Sequence, residues 1–201
     1  CVLAELSVPM EFTLRVVHVE HGIRGEESFR DADFVQQFCR ERGIACEVCS
    51  VDVPFYAREK RIGEEEAARL LRYEMFRKEA AKYPHSKIAL AHHLEDNAET
   101  ILFQMARGSG LDGMCGIRPV RNDAESVTYI RPLLGVSRCD IEQELNRRGQ
   151  AYCTDATNEN LEYSRNHIRH RILPELKKVN AQAVLHMNRM AEQMNEIRDY
   201  M

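Results

Sequence analysis

The sequence predicts an α/β fold, a parallel sheet flanked by helices, and three observations predict it. Short runs rich in apolar and β-branched residues, Leu14 to Val19, Ala45 to Val53 and Ile88 to Ala91, alternate with longer stretches that are apolar along one side. Glycine or proline punctuates these segments, as at Gly43, Pro54, Gly63 and Gly108. Polar clusters also follow the carboxyl ends of the strand-like runs, where open α/β sheets hold their ligands.

The elements follow in order. Cys1 to Ser7 reads as the last turns of a helix stopped by Pro9. The strand Leu14 to Val19 runs into His18-Val19-Glu20-His21-Gly22-Ile23-Arg24-Gly25. A helix from Glu26 to Arg42 turns Phe29, Phe34, Val35 and Phe38 inward, with Gly43 as its cap. The strand Ala45 to Val53 is closed by Pro54. Gly63 precedes Glu64, Glu65 and Glu66, first-turn acids that complement the dipole of a helix reaching Tyr83. Strand 88–91 leads to a helix ending at Arg107, then to a loop with Gly108, Gly110, Gly113 and Gly116. A helix from Ser137 or Arg138 to Gly149, a short extended Ala151 to Cys153 and a helical Tyr163 to Ile172 come next, the last behind the turn residues Asp155, Thr157 and Asn158. Pro174 opens a final, loosely helical segment with too little behind it to pack on. The expected division is a nucleotide-binding α/β domain over 1–136, a helical extension over 137–180 and a linker helix over 181–201.

Composition narrows the function classes. The 201 residues are 44% hydrophobic and 30% charged, ordinary for a globular chain. No apolar run approaches the roughly 18 residues of a membrane span, and no signal peptide is present, so a cytoplasmic location without membrane contact is expected. Seven scattered cysteines read as reduced thiols rather than a disulfide framework. A net charge of −4 excludes a chain that traps nucleic acid by bulk charge; an RNA partner would need a local basic patch.

The chemistry concentrates in His92-His93-Leu94-Glu95-Asp96-Asn97-Ala98-Glu99-Thr100, between a strand and a helix. Spacings of four and three put His92, Asp96 and Glu99 on one helix face. Such carboxylates hold Mg²⁺ or act as a base, and the imidazole moves protons or touches phosphate. The plainer reading makes Glu95, Asp96 and Glu99 acids that stabilise a helix start. No spacing fits a structural zinc site, and no residue is assigned as a resident metal ligand.

Other groups carry the same double reading. Arg69 and Arg72-Tyr73 share a helix face and suit a pyrophosphate clamp, or pair with glutamates such as Glu65. His18, His21, Gly22 and Arg24 lie at a strand end where backbone amides approach a nucleotide, or form an ordinary turn. Arg107-Gly108-Ser109-Gly110 cradles phosphate, or Gly108 caps a helix. Arg165, Asn166 and Arg169 belong to the one dense basic stretch, with Lys177 and Lys178 beyond, and suit phosphate or RNA, or a solvated face. Cys46 and Cys49 fall inside a strand on opposite faces and read as core filling.

In their order, His18 to Gly25, Ala68-Arg69-Leu70-Leu71-Arg72-Tyr73, the 92–100 cluster, Arg107 to Gly110, Arg131-Pro132-Leu133-Leu134, Asp155-Ala156-Thr157-Asn158 and Arg165 to Arg169 resemble the catalytic domain of the tRNA(Ile)-lysidine synthases. The resemblance covers about residues 14 to 180. It implies a Rossmann-like, adenine nucleotide alpha hydrolase-like domain of the PP-loop ATP pyrophosphatase type. Such enzymes adenylate the wobble cytidine in the CAU anticodon of tRNA(Ile), and the amine of free lysine then displaces AMP. On this resemblance His92, Asp96, Glu99 and Arg69 are catalytic, and His18, His21, Gly22, Arg24, Arg107 and Gly108 bind the nucleotide. Arg72, Tyr73, Arg165, Asn166 and Arg169 face the substrates, ATP and Mg²⁺ are the cofactors, and a homodimer is an admissible assembly.

The family's Ser-Gly-Gly-x-Asp-Ser loop has no counterpart here, so the chain is expected to be a fragment, truncated before Cys1 and after Met201 and itself inactive. Glu20 and Glu95 stand where the family often has Asn and Asp. The rival readings are a 2-thiocytidine-type PP-loop enzyme, disfavoured by a Cys-x-x-Cys buried in a strand, and a nucleotide-binding module without catalysis.

Overall fold

The structure is a computed structural model that describes residues 1–21, 26–153 and 164–200, the side chains of 26–29 excepted. The chain divides into two compact units, residues 1–86 and 87–201.

The first unit runs α1 (Val2–Ser7), β1 (Arg15–Glu20), α2 (Glu26–Glu41), β2 (Ala45–Ser50), α3 (Val53–Lys60) and α4 (Glu64–Ala80). Strands β1 and β2 pair in parallel, from Arg15 opposite Ala45 to Glu20 opposite Ser50, with α2 as the crossover. Gly43 ends that crossover at φ +63°, its N–H reaching the Arg40 carbonyl at 3.2 Å, as the sequence led one to expect.

The second strand stops earlier than the sequence suggests. It ends at Ser50, and Pro54, expected to close it, instead stands in the first turn of α3. Asp52 caps that helix by accepting the Phe55 N–H at 2.9 Å. A proline costs nothing there, because its missing N–H has no intrahelical partner to lose. Val53 and Ala57 of α3 pack on Ala67 and Leu71 of α4 as the buried core of this helix pair. The helix escapes a periodicity search because only two of its eight residues are buried.

The second unit runs β3 (Lys87–Ala89), α5 (Leu94–Ala106), α6 (Leu111–Met114), β4 (Val120–Asn122), β5 (Thr128–Ile130), α7 (Arg138–Arg147), α8 (Ser164–His167), α9 (Leu173–Val179) and α10 (Ala183–Tyr200). A π-helical turn, Ile168–Ile172, joins α8 to α9. Its sheet has the order β3-β5-β4: β3 and β5 are parallel, whereas β4 returns antiparallel on β5. The hairpin was not foreseen. Its turn is organised by Asp123, whose Oδ1 accepts the N–H groups of Glu125 and Val127 at 3.0 Å each, and all of β4 is exposed, so no alternation marks it.

The final helix differs most from expectation. Rather than lacking anything to pack on, α10 lies against α5, burying Val184, Asn188 and Ala191. Val184 joins Ala98, Ile168 and Leu173 in one apolar cluster. No helix among the described residues is long and apolar enough to cross a membrane, and all seven cysteines are free thiols.

Candidate functional site

In the second unit the site grows from the start of α5. His93 is the N-cap, with extended backbone at φ −121° and ψ −176°. Asp96, three residues on, accepts the His93 N–H through Oδ2 at 3.0 Å, one half of a capping box. The helix-start reading of Asp96 therefore holds. The same carboxylate also does something a cap does not need: its Oδ1 takes Arg169 Nη2 at 3.0 Å.

Arg169 comes from the π turn and forks onto Glu99. Its Nε donates to Oε1 at 2.6 Å and its Nη2 to Oε2 at 3.0 Å. Glu99 is 2% exposed. Burial pushes its carboxyl above the ordinary range, and the neighbouring Asp96 adds to that, against the pull of Arg169. A carboxyl raised in this way is a stronger base than an ordinary carboxylate.

Glu95 faces the opposite situation. Burial alone would raise it. His93, with Nδ1 3.2 Å from Oε2, and the Arg138 N–H, 2.9 Å from the same oxygen, outweigh burial and hold the carboxyl at about 2. Lys177 adds its ammonium at 3.7 Å. Burial depresses the His93 imidazole, but Glu95 and Asp96 on either side overcome this and raise it. His93, Glu95, Glu99 and Lys177 border a cavity of about 350 Å³ together with Arg138, Glu142 and Arg169.

The spacing argument named His92, whereas a different histidine stands between the carboxylates. The imidazole between Glu95 and Asp96 is that of His93; His92 stands one residue before the cap, half-buried. A sequence signal existed, since His93 directly precedes a helix with Asp at the third position. The basic stretch also separates: Arg165 is exposed on α8 and Asn166 half-buried, while Arg169 is committed to carboxylates.

The glycine-rich loop lies at the far end of α5. Gly108 ends the helix at φ +73°, its N–H on the Met105 carbonyl at 3.0 Å, so it is a cap. The exposed Arg107 lies over the Phe103 ring at 5.3 Å. A cavity of about 700 Å³ opens between Gln104, residues 109–113 and Arg198.

The first unit carries the other expected group. His18, on β1, is depressed by burial, against the pull of Asp31 and Glu20. His21 follows the strand, and its Nε2 lies 3.4 Å from Arg72 Nη2 of α4. Arg69, one turn earlier and exposed, places its guanidinium 5.0 Å from the Tyr73 ring centre. Strand end and helix thus bring His21, Arg72, Arg69 and Tyr73 together as a cationic and aromatic group suited to phosphate and base. Cys46 of β2 is half-buried; burial first, and Cys39 beside it, push its thiol to about 11, which leaves it unreactive. Gly22, Arg24, Asp155, Ala156, Thr157, Asn158 and Tyr163 lie outside the described residues.

Comparison with known proteins bears on the family and the fold. Curated relatives called tRNA(Ile)-lysidine synthase include that of Geobacillus kaustophilus, 39% identical over 95% of this chain and 41% of the relative. That of Bacteroides thetaiotaomicron is 40% identical over 94% and 42%. The chain thus spans about two-fifths of the length of the curated relatives it matches. Among solved structures, the U34-tRNA thiolase NcsA of Methanococcus maripaludis, with its [4Fe-4S] cluster, superposes with a TM-score of 0.76 over 96% of this chain and 68% of its own. At 16% identity, that likeness speaks for the fold alone. A parallel-paired α/β chain with basic and carboxylate groups at its strand ends, matched over residues 1–176 by the family model described as a PP-loop domain, belongs to the PP-loop domain family.

Proposed function

We propose that this chain is the ATP-using catalytic part of a tRNA(Ile)-lysidine synthase, which activates the wobble cytidine of a CAU anticodon with ATP and joins lysine to it. The observation that carries the reading is identity of about two-fifths, over nine-tenths or more of the chain, to enzymes of that name.

The residues present suit the chemistry. Adenylation releases pyrophosphate, whose charge calls for guanidinium groups and for Mg²⁺ arriving with the nucleotide. Arg69, Arg72 and His21 offer that character in the first unit, with His18, Gly22, Arg24, Arg107 and Gly108 as further nucleotide contacts. Attack by lysine requires its ammonium to lose a proton, and Glu99, buried and raised, is the group we assign to accept it, with Asp96, which shares the Arg169 guanidinium, and His92 as further catalytic residues. Arg165 and Asn166 are assigned to the tRNA side, and Arg169, paired with Asp96 and Glu99, to holding those carboxylates. The reading places the protein in the cytoplasm, and a homodimer is compatible with it.

The test is incorporation. Full-length protein, ATP, Mg²⁺, labelled lysine and an unmodified CAU-anticodon tRNA should yield labelled tRNA, with AMP and pyrophosphate released. No incorporation into that tRNA, with incorporation of sulfur instead, overturns the assignment.

A further inference from the structure

Asn188 is a polar residue in the apolar stripe of α10, flanked one turn away by Val184 and further along by Ala191, both buried. It is 5% exposed, and two of its three side-chain hydrogen bonds reach the first turn of α5. Its Oδ1 accepts from Asn97 Nδ2 at 2.7 Å, and its Nδ2 donates to the Leu94 carbonyl at 3.1 Å and the Val184 carbonyl at 2.8 Å. Leu94 and Asn97 belong to the first turn of α5, between them the residues Glu95 and Asp96.

Asn97 passes the constraint on. Its Oδ1 accepts the Ile117 N–H at 2.6 Å, and Gly116 approaches so closely, at φ +63°, that a Cβ there would run into that oxygen. From the other side Asn195, seven residues along α10, donates to the Cys115 carbonyl at 2.8 Å. The 115–117 turn and the start of α5 are therefore held by a single helix through two asparagines. A leucine at 188 would fill the space while satisfying none of these groups, and hydrophobic burial alone has no preference for one register of α10 on α5. Directional bonds do.

We propose that Asn188 is a positioning residue for the carboxylates of α5: through Asn97 and the Leu94 carbonyl it fixes the first turn of α5 against the 115–117 turn. The inference rests on the function proposed above for its catalytic consequence. It extends the working site beyond residues 1–176, which the family model matches, into α10.

The experiment compares Asn188→Leu with Val184→Ala in the full-length protein. Val184→Ala trims the same helix in the core and serves as the stability control. Lysine incorporation is read beside hydrogen exchange of the segments covering 93–101 and 115–119. Asn188→Leu should lower kcat roughly 10- to 100-fold with KM for ATP within about twofold, and should accelerate exchange at Ile117. Val184→Ala, compared well below its Tm, should leave both near wild type. Should the leucine variant fail to fold, Asn188→Ser, which leaves room for a bridging water, should move both readouts the same way by less. Unchanged exchange at Ile117, or kcat losses in the two variants that simply follow Tm, overturns the proposal. A wild-type protein without incorporation overturns the proposed function instead, and the exchange result then decides the role of Asn188 by itself.

Discussion

Arg169 meets Glu99 in a two-point fork, 2.6 Å from Nε to Oε1 and 3.0 Å from Nη2 to Oε2, across 70 residues of chain. Planar guanidinium and carboxylate match in shape, which makes such pairs stronger than a single-point contact. Glu99 is nearly inaccessible, so the pair is unlike a surface bridge: removing one partner leaves a buried charge without compensation.

Arg169→Ala is therefore expected to cost about 2–4 kcal/mol of unfolding free energy in urea titrations. Glu99→Gln should cost less, because a neutral amide tolerates burial. The double variant should be less destabilised than the two single changes summed, and strict additivity in the cycle would show that the pair contributes nothing.

Asp96→Asn should lower both turnover and Tm. Read as a catalytic residue alone, Asp96 could be exchanged at little cost to folding. Its two oxygens, however, hold the His93 N–H and the Arg169 guanidinium. A loss of about 1–2 kcal/mol is expected from the cap and the charge together, and thermal melting alongside the incorporation assay separates the effects.

The His93 pair gives a pH signature. The His93 pKa is raised above its ordinary 6.5, so its stabilising contribution is complete below pH 6.5 and is lost as pH rises through the raised value. Glu95 is depressed from 4.5 to about 2, so its contribution is complete above pH 4.5 and is lost as pH falls toward 2. Tm measured from pH 2 to 9, a window of about seven units that spans both transitions, should fall at each end, and His93→Gln should flatten the decline above pH 6.5. An unchanged alkaline slope in that variant would contradict the assignment.

Gly116→Ala should destabilise by about 2–4 kcal/mol. The residue is left-handed at φ +63°, and the oxygen its Cβ would strike cannot swing away, since Asn97 is held by Ile117 on one side and Asn188 on the other. Gly43→Ala, at the same φ but with nothing within 4 Å, should cost only the backbone strain of about 1–2 kcal/mol. Chemical denaturation of the two variants measures the difference.

Arg69→Ala and Arg72→Ala should leave Tm within about 1 kcal/mol equivalent, since both side chains are exposed, yet weaken ATP binding about tenfold or more by calorimetry. Unaltered ATP affinity in both would remove them from the nucleotide site.

The sequence by itself determined what local physics controls. Short apolar or β-branched runs marked β1, β2 and β3, glycine at positive φ ended α2 and α5, and acids three and four apart shared the start of α5, because each of these depends on a few adjacent residues. Pro54 misled for the same reason: a proline signals an interruption, and only the Asp52 cap shows whether a strand ends or a helix begins. Tertiary structure alone decided which side chains meet across long separations. Nothing near Arg169 in the chain points to Glu99, nothing near Asn188 points to Asn97, and the preference for His93 over His92 between the carboxylates follows from where α5 begins. Those pairings are set by how α10 and the π turn pack on α5, and packing is a property of the whole unit rather than of any short stretch within it.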